Sequence, residues 1–146
     1  MNEQELIEKA RAAQMEREEK ARSAEERKKQ WVVLLDEQRE ITVAYMLIWA
    51  KKFARLAKES GCPPPVRGKY WSYGNLCIGK NGHLYHNSFA KNPDRIKKYG
   101  DFRTNSDTSG TINRLMFGSG CDPYTFSEAE MRQRVDKLFE DVLLGK

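Results

Sequence analysis

The chain has 146 residues, 39% hydrophobic and 32% charged, with a net charge of +5. That length fits one ordinary domain, and three Trp, six Tyr and six Phe are enough to anchor a core, which excludes a disordered composition. The longest apolar stretch, Ile41 to Ala50, falls well short of the ~20 residues a membrane span requires, so no membrane contact is expected.

Three Cys, at 62, 77 and 121, cannot all pair within one chain, and their spacing is no disulfide framework. Free thiols in a reducing compartment are expected. The start, Met1-Asn2-Glu3-Gln4-Glu5, is acidic and lacks the apolar run of a secretory signal. The expectation is a cytoplasmic protein, or one of the nucleoid or nucleus if it binds nucleic acid. The charge is unevenly spread. Residues 61–103 carry eight Lys/Arg against two Asp/Glu, a net +6, while the segments before and after are near neutral. A basic block inside a near-neutral chain points to an anionic partner.

Residues 3 to about 30 are rich in Ala, Glu, Lys and Arg, all good helix formers. Glu5–Lys9, Glu16–Lys20, Glu18–Arg22 and Glu25–Lys29 stand four apart in the favourable order. Apolar residues are few, so 1–30 reads as a charged helical extension, and 31–146 as a single small α+β domain. The extension is either a solvated arm or a route to a homodimer or another partner; its heptads are poor for a coiled coil.

No Gly or Pro separates the arm from residues 31–58, so one continuous helix is expected. From Trp31 onward, Leu34, Leu35, Ile41, Tyr45, Met46, Ile48, Trp49, Phe53 and Leu56 fall on one broad face, interrupted by Gln38 and Lys52. Val43, Leu47, Ala50 and Ala54 fall near the other side. The helix is therefore apolar nearly all round at 43–50, as expected of a central core helix or of a helix paired with another chain. Gly61 and Pro63-Pro64-Pro65 end it.

Residues 69–87 predict a three-stranded antiparallel meander with two-residue turns at Gly74-Asn75 and Asn81-Gly82. Taken literally, these turns pair Trp71 with Ile78, Ile78 with Tyr85 and Cys77 with His86. Trp71, Tyr73, Leu76, Ile78, His83 and Tyr85 then share the core face. Tyr70, Ser72, Cys77, Leu84 and His86 share the other. Asn92, Pro93 and Gly100 have the spacing of a short capped helix, and residues 101–110 read as loop. Thr111–Phe117 predicts a second short helix closed by Gly118. Ser127-Glu128-Ala129-Glu130 is a capping box opening a last helix, with Met131, Val135, Leu138, Phe139 and Val142 on one stripe.

Catalytic signatures fail on inspection. No P-loop, GxGxxG, GxSxG, HExxH or EF-hand loop occurs, so a binding protein is expected rather than an enzyme, and no cofactor. Cys77, His86, Cys62 and Cys121 are weak candidate zinc ligands, without any CxxC pair. His83 and His86 are three apart in a strand and so point to opposite faces. The same Cys77–His86 pair lacks an orienting carboxylate for nucleophilic work. A buried small Cys near a histidine is the plainer reading.

The remaining signal is the basic, aromatic stretch between residues 67 and 103. Cations neutralise phosphates and release counterions, and aromatic faces stack on unpaired bases. Lys69, Lys80, Lys91, Arg95, Lys97, Lys98 and Arg103 are the candidate anion contacts, with Tyr70, Tyr99 and Phe102 as candidate stacking residues; Trp71, Tyr73 and Tyr85 read as core. The expected partner is nucleic acid or another polyanion. The competing partner is an acidic protein surface, met by an adaptor, assembly factor or inhibitor that uses the N-terminal helix and the apolar helix at 41–56.

Overall fold

The computed structural model describes residues 2–66, 68–87, 96–98 and 106–146. In chain order it has helix α1 (Glu3–Glu59), strands β1 (Tyr70–Tyr73), β2 (Leu76–Gly79), β3 (Leu84–Asn87) and β4 (Ile96–Lys98), helix α2 (Ser106–Phe117), a 3-10 turn (Pro123–Thr125) and helix α3 (Glu128–Leu143). The fold is α+β, with a long N-terminal helix, an antiparallel meander and further short helices. Residues 1–35 and 36–146 form two compact units. In the first, residues 2–30 are exposed throughout, and the Lys20 ammonium sits 3.3 Å from Glu16, one of the expected ion pairs. No helix among the described residues is long and apolar enough to cross a membrane.

In the second unit, α1 supplies the middle of the core. Phe53 lies edge-on to Trp71 of β1 with centroids 4.8 Å apart, and 5.8 Å from Phe139 of α3. Trp49 stacks on Phe139 at 5.4 Å. The core face of α1 is rotated from the expected one: Gln38, Thr42, Val43, Met46, Ala50, Phe53 and Ala57 are buried, whereas Ile41 and Ile48 are exposed. Two buried polar residues of α1 make hydrogen bonds: Gln38 donates to the Pro123 carbonyl at 2.7 Å, leaving its own side-chain oxygen buried without a partner among the described residues, and Thr42 donates to the Gln38 carbonyl at 2.8 Å. The helix ends as expected. Gly61 has φ +70, Gly61 N–H donates to the Lys58 carbonyl, and Cys62 N–H reaches the Ala57 carbonyl at 2.9 Å.

The sheet order is β1-β2-β3-β4, antiparallel throughout. The β1–β2 hairpin has the expected register, with Trp71 opposite Ile78 and Tyr73 opposite Leu76. The β2–β3 hairpin does not. Gly79 and Gly82 close a turn (Gly82 N–H to Gly79 carbonyl, 2.9 Å), and Gly79 N–H donates to the His83 carbonyl at 2.8 Å. The loop is therefore three residues, Lys80-Asn81-Gly82, with Gly82 at φ +80. One extra loop residue slips the ladder, so Ile78 faces Leu84, Cys77 faces Tyr85 and Leu76 faces His86. Leu84 thereby joins Trp71, Leu76 and Ile78 on the buried face, and Tyr85 moves to the other.

The meander gains a fourth strand where a short helix was expected. Ile96–Lys98 pairs with β3, Tyr85 opposite Lys98 and Asn87 opposite Ile96. Pairing satisfies the backbone edge that β3 would otherwise expose. The expected cap residues Asn92, Pro93 and Gly100 lie outside the described residues. Helix α2 starts at Ser106, inside the expected loop, and ends at Gly118 (φ +74) as predicted. The serine half of the capping box forms, the Ser127 hydroxyl accepting from Glu130 N–H at 3.3 Å while the Glu130 carboxylate pairs with Arg134, and Met131, Val135, Leu138 and Phe139 of α3 are buried.

Candidate polyanion-binding surface

The β1 and β2 strands continue one pair beyond Tyr70 and Gly79. Lys80 N–H donates to the Lys69 carbonyl at 3.1 Å, which sets the two lysines opposite each other at one end of the sheet. Both are exposed, and among the described residues neither meets a carboxylate. Like charges directly opposite across a ladder repel, and both lysines are open to solvent.

Beside the pair, on the face away from the core, Tyr70 and Tyr85 pack edge to face with centroids 5.6 Å apart. Asn81 donates an amide N–H to the Tyr85 hydroxyl at 3.0 Å, and the His83 ring stacks near Tyr85 at 6.4 Å. The Tyr85 ring lies over Gly79, where an added Cβ would come within 2.9 Å of it. The absence of a side chain at Gly79 is what lets this ring lie down. Both tyrosines are half-buried. Tyr70 is thus on the face expected of a stacking residue, and Tyr85, expected in the core, joins it. Tyr73, also expected in the core, is 44% exposed; Trp71 is buried.

Around the same sheet end, an apolar groove of about 630 Å³ opens between the end of α1, the Pro63-Pro64 segment and the β2–β3 turn. Ala54, Ala57, Trp71 and Pro64 line it, and Lys58 and Lys80 stand at its sides. The sequence held no periodic signal for this groove, because it is assembled from three separate segments. A second, smaller cavity of about 280 Å³ between β1, α2 and α3 is also cation-rich, with Arg114, Arg134 and Lys137 against Asp141. There the Arg134 guanidinium already donates to the Met116 carbonyl at 3.1 Å, closing the end of α2.

Of the other expected anion contacts, Lys97 and Lys98 lie on β4, opposite His86 and Tyr85 respectively. Lys91, Arg95, Tyr99, Phe102 and Arg103 lie outside the described residues. Two of the weak zinc candidates, Cys77 and His86, lie on adjacent strands. Cys77 pairs with Tyr85 and His86 with Leu76, so Cys77 and His86 occupy ladder positions of opposite parity. Among the described residues no three His, Cys, Asp or Glu side chains converge on a metal position. All three cysteines are free thiols; Cys77 is buried, and burial pushes its thiol pKa up.

One polar cluster escaped the sequence entirely. Tyr45 and Trp49 of α1 both donate to the same Asp136 carboxylate oxygen of α3, each at 2.5 Å. Arg132 sits over the Tyr45 ring and Lys52 over the Trp49 ring. The arrangement ties two helices together. No protein-family model, curated protein or solved structure matches this chain.

Proposed function

We propose that this chain is a non-enzymatic binding protein for a flexible polyanion carrying flat rings, single-stranded nucleic acid being the best fit. The observation that carries this reading is the Lys69–Lys80 pair, held face to face without a carboxylate among the described residues. Phosphates would relieve that repulsion and release counterions. The Tyr70–Tyr85 pair on one face, and the apolar groove lined by Trp71 of the other face at the same sheet end, give ring-shaped groups two places to stack. Lys98, opposite Tyr85 on the next strand, would extend the track on that face, while Lys97 takes the ladder position of opposite parity. The reading implies an intracellular protein found wherever that nucleic acid is.

The test is fluorescence anisotropy with a generic single-stranded oligonucleotide over a salt series. Binding should weaken steeply as salt rises. Lys69→Glu with Lys80→Glu should weaken it by roughly tenfold or more and flatten the salt slope. Binding that ignores both salt and the double substitution would remove this reading. It would then favour an acidic protein surface, detected by pull-down with nuclease-treated extract.

A further inference from the structure

The face of α1 that points away from the core carries an ordered stripe. Glu37, Ile41, Ala44, Ile48, Lys51 and Arg55 stand alternately four and three residues apart, which is the seam spacing of a coiled coil. All six are exposed, Ile48 at 66% and Ile41 at 42%. Leu47, 36% exposed, flanks the middle of the stripe. The stripe is acidic at its start, apolar in its middle and basic at its end. Glu37 and Arg55 make no ion pair among the described residues, and nor does Lys51, whose backbone and Cγ border the β2–β3 turn at Gly82.

We propose that this stripe is a self-association surface, and that its occupant is the same stripe of a second copy running antiparallel. Charge decides both the partner and the direction. In a parallel pair, Glu37 would meet Glu37 and Arg55 would meet Arg55. In an antiparallel pair, one register sets Glu37 against Arg55 of the second copy, Ile41 against Lys51, and Ala44 against Ile48. The two-fold axis then repeats all three pairs. Each knob position meets the complementary position of the other helix, as antiparallel seams require. Ala44 opposite Ile48 is a small-against-large pair that lets the helices approach closely at the axis. The outer part of the Lys51 stem can reach over Ile41 while its ammonium stays in water. A surface complementary to itself under a two-fold axis is the signature of an isologous dimer. This inference is independent of the polyanion reading.

Sedimentation velocity on the full chain over a concentration series tests it. The wild-type protein should show a concentration-dependent dimer. Ile48→Glu should raise its dissociation constant by at least about tenfold, with the melting temperature unchanged at protein concentrations too low for the dimer to form, because Ile48 is 66% exposed. Glu37→Arg alone and Arg55→Glu alone should each weaken the dimer by introducing like charges; the two together should restore it. That restoration cannot come from misfolding or from a merely structural role. A wild-type protein monomeric at every concentration would overturn the proposal. So would a dimer that survives Ile48→Glu, a dimer lost only when residues 1–30 are deleted, or a double substitution that fails to restore.

Discussion

Asp136 shows how one carboxylate can join two helices. It accepts from the Tyr45 hydroxyl and the Trp49 indole on a single oxygen. The bond to Asp136, with a smaller contribution from burial, raises the Tyr45 pKa above the usual tyrosine range. A phenol held protonated in the folded state stabilises it fully below the unfolded tyrosine pKa. That contribution is lost as pH rises through the higher folded value. Tyr45→Phe should therefore cost about 1 kcal/mol at neutral pH. The gap between the two proteins should narrow in denaturant melts above the ordinary tyrosine pKa of ~10. Cys77 makes the complementary case. Its thiol is buried and its pKa is raised by desolvation, while Cys62 and Cys121 are half-exposed. Since the thiolate is the reactive form, brief alkylation of the native protein followed by mass spectrometry should label Cys62 and Cys121 and spare Cys77. Labelling of all three at equal rates would contradict the burial.

At the scale of elements, two glycines should respond oppositely to the same substitution. Gly82 has φ +80, and a Cβ there would lie 3.0 Å from the Lys51 Cα. Gly82→Ala should cost about 1–3 kcal/mol, because the turn must both strain and withdraw from α1. Gly110 lies inside α2, and a Cβ added there would meet nothing within 4 Å. Gly110→Ala should add about 0.5–1 kcal/mol, chiefly by restricting the unfolded chain. Thermal melts of the two variants against wild type decide both. Gly82 also marks where the sequence became illegible. Asn81-Gly82 correctly announced a hairpin. Yet the same dipeptide serves a two-residue turn or the end of a three-residue one, and the choice depends on how the turn seats against Lys51. That single residue exchanged Leu84 and Tyr85 between the faces, and with them a core residue for a surface ring. Local signals with a self-contained mechanism were readable: the helix cap at Ser127, the stop at Gly61, the hairpin at Gly74. The strand at Ile96–Lys98 was not, because three residues gain their conformation from the β3 edge rather than from their own preference. The candidate site was half legible for the same reason. Lys69, Tyr70 and Lys80 followed from the pattern, whereas Tyr85 and the groove required tertiary assembly.

Across the whole molecule, stability should be graded along a single helix. Over residues 3–30 of α1, every side chain is exposed and support comes from local pairs such as Glu16–Lys20, each worth about 0.2–0.5 kcal/mol. Over residues 42–57 the same helix buries Met46, Ala50, Phe53 and Ala57. Burying a side chain such as Phe53 contributes about 1.5–3 kcal/mol in transfer alone, and truncating a buried Phe costs about 3–5 kcal/mol. The two stretches share one hydrogen-bond ladder, yet only the second must open with the core. Hydrogen-exchange mass spectrometry at low protein concentration should therefore find amides of residues 3–30 exchanging early, by local fraying. Amides of 46–57 should exchange last, at the rate set by global unfolding. Phe53→Ala should accelerate exchange at 46–57 and in α3, where Phe139 packs on the lost ring, and leave residues 3–30 unchanged. Uniform protection along all of α1 would mean that the arm is stabilised by contacts beyond its own turns. Protection of 3–30 that grew with protein concentration would place such contacts between copies.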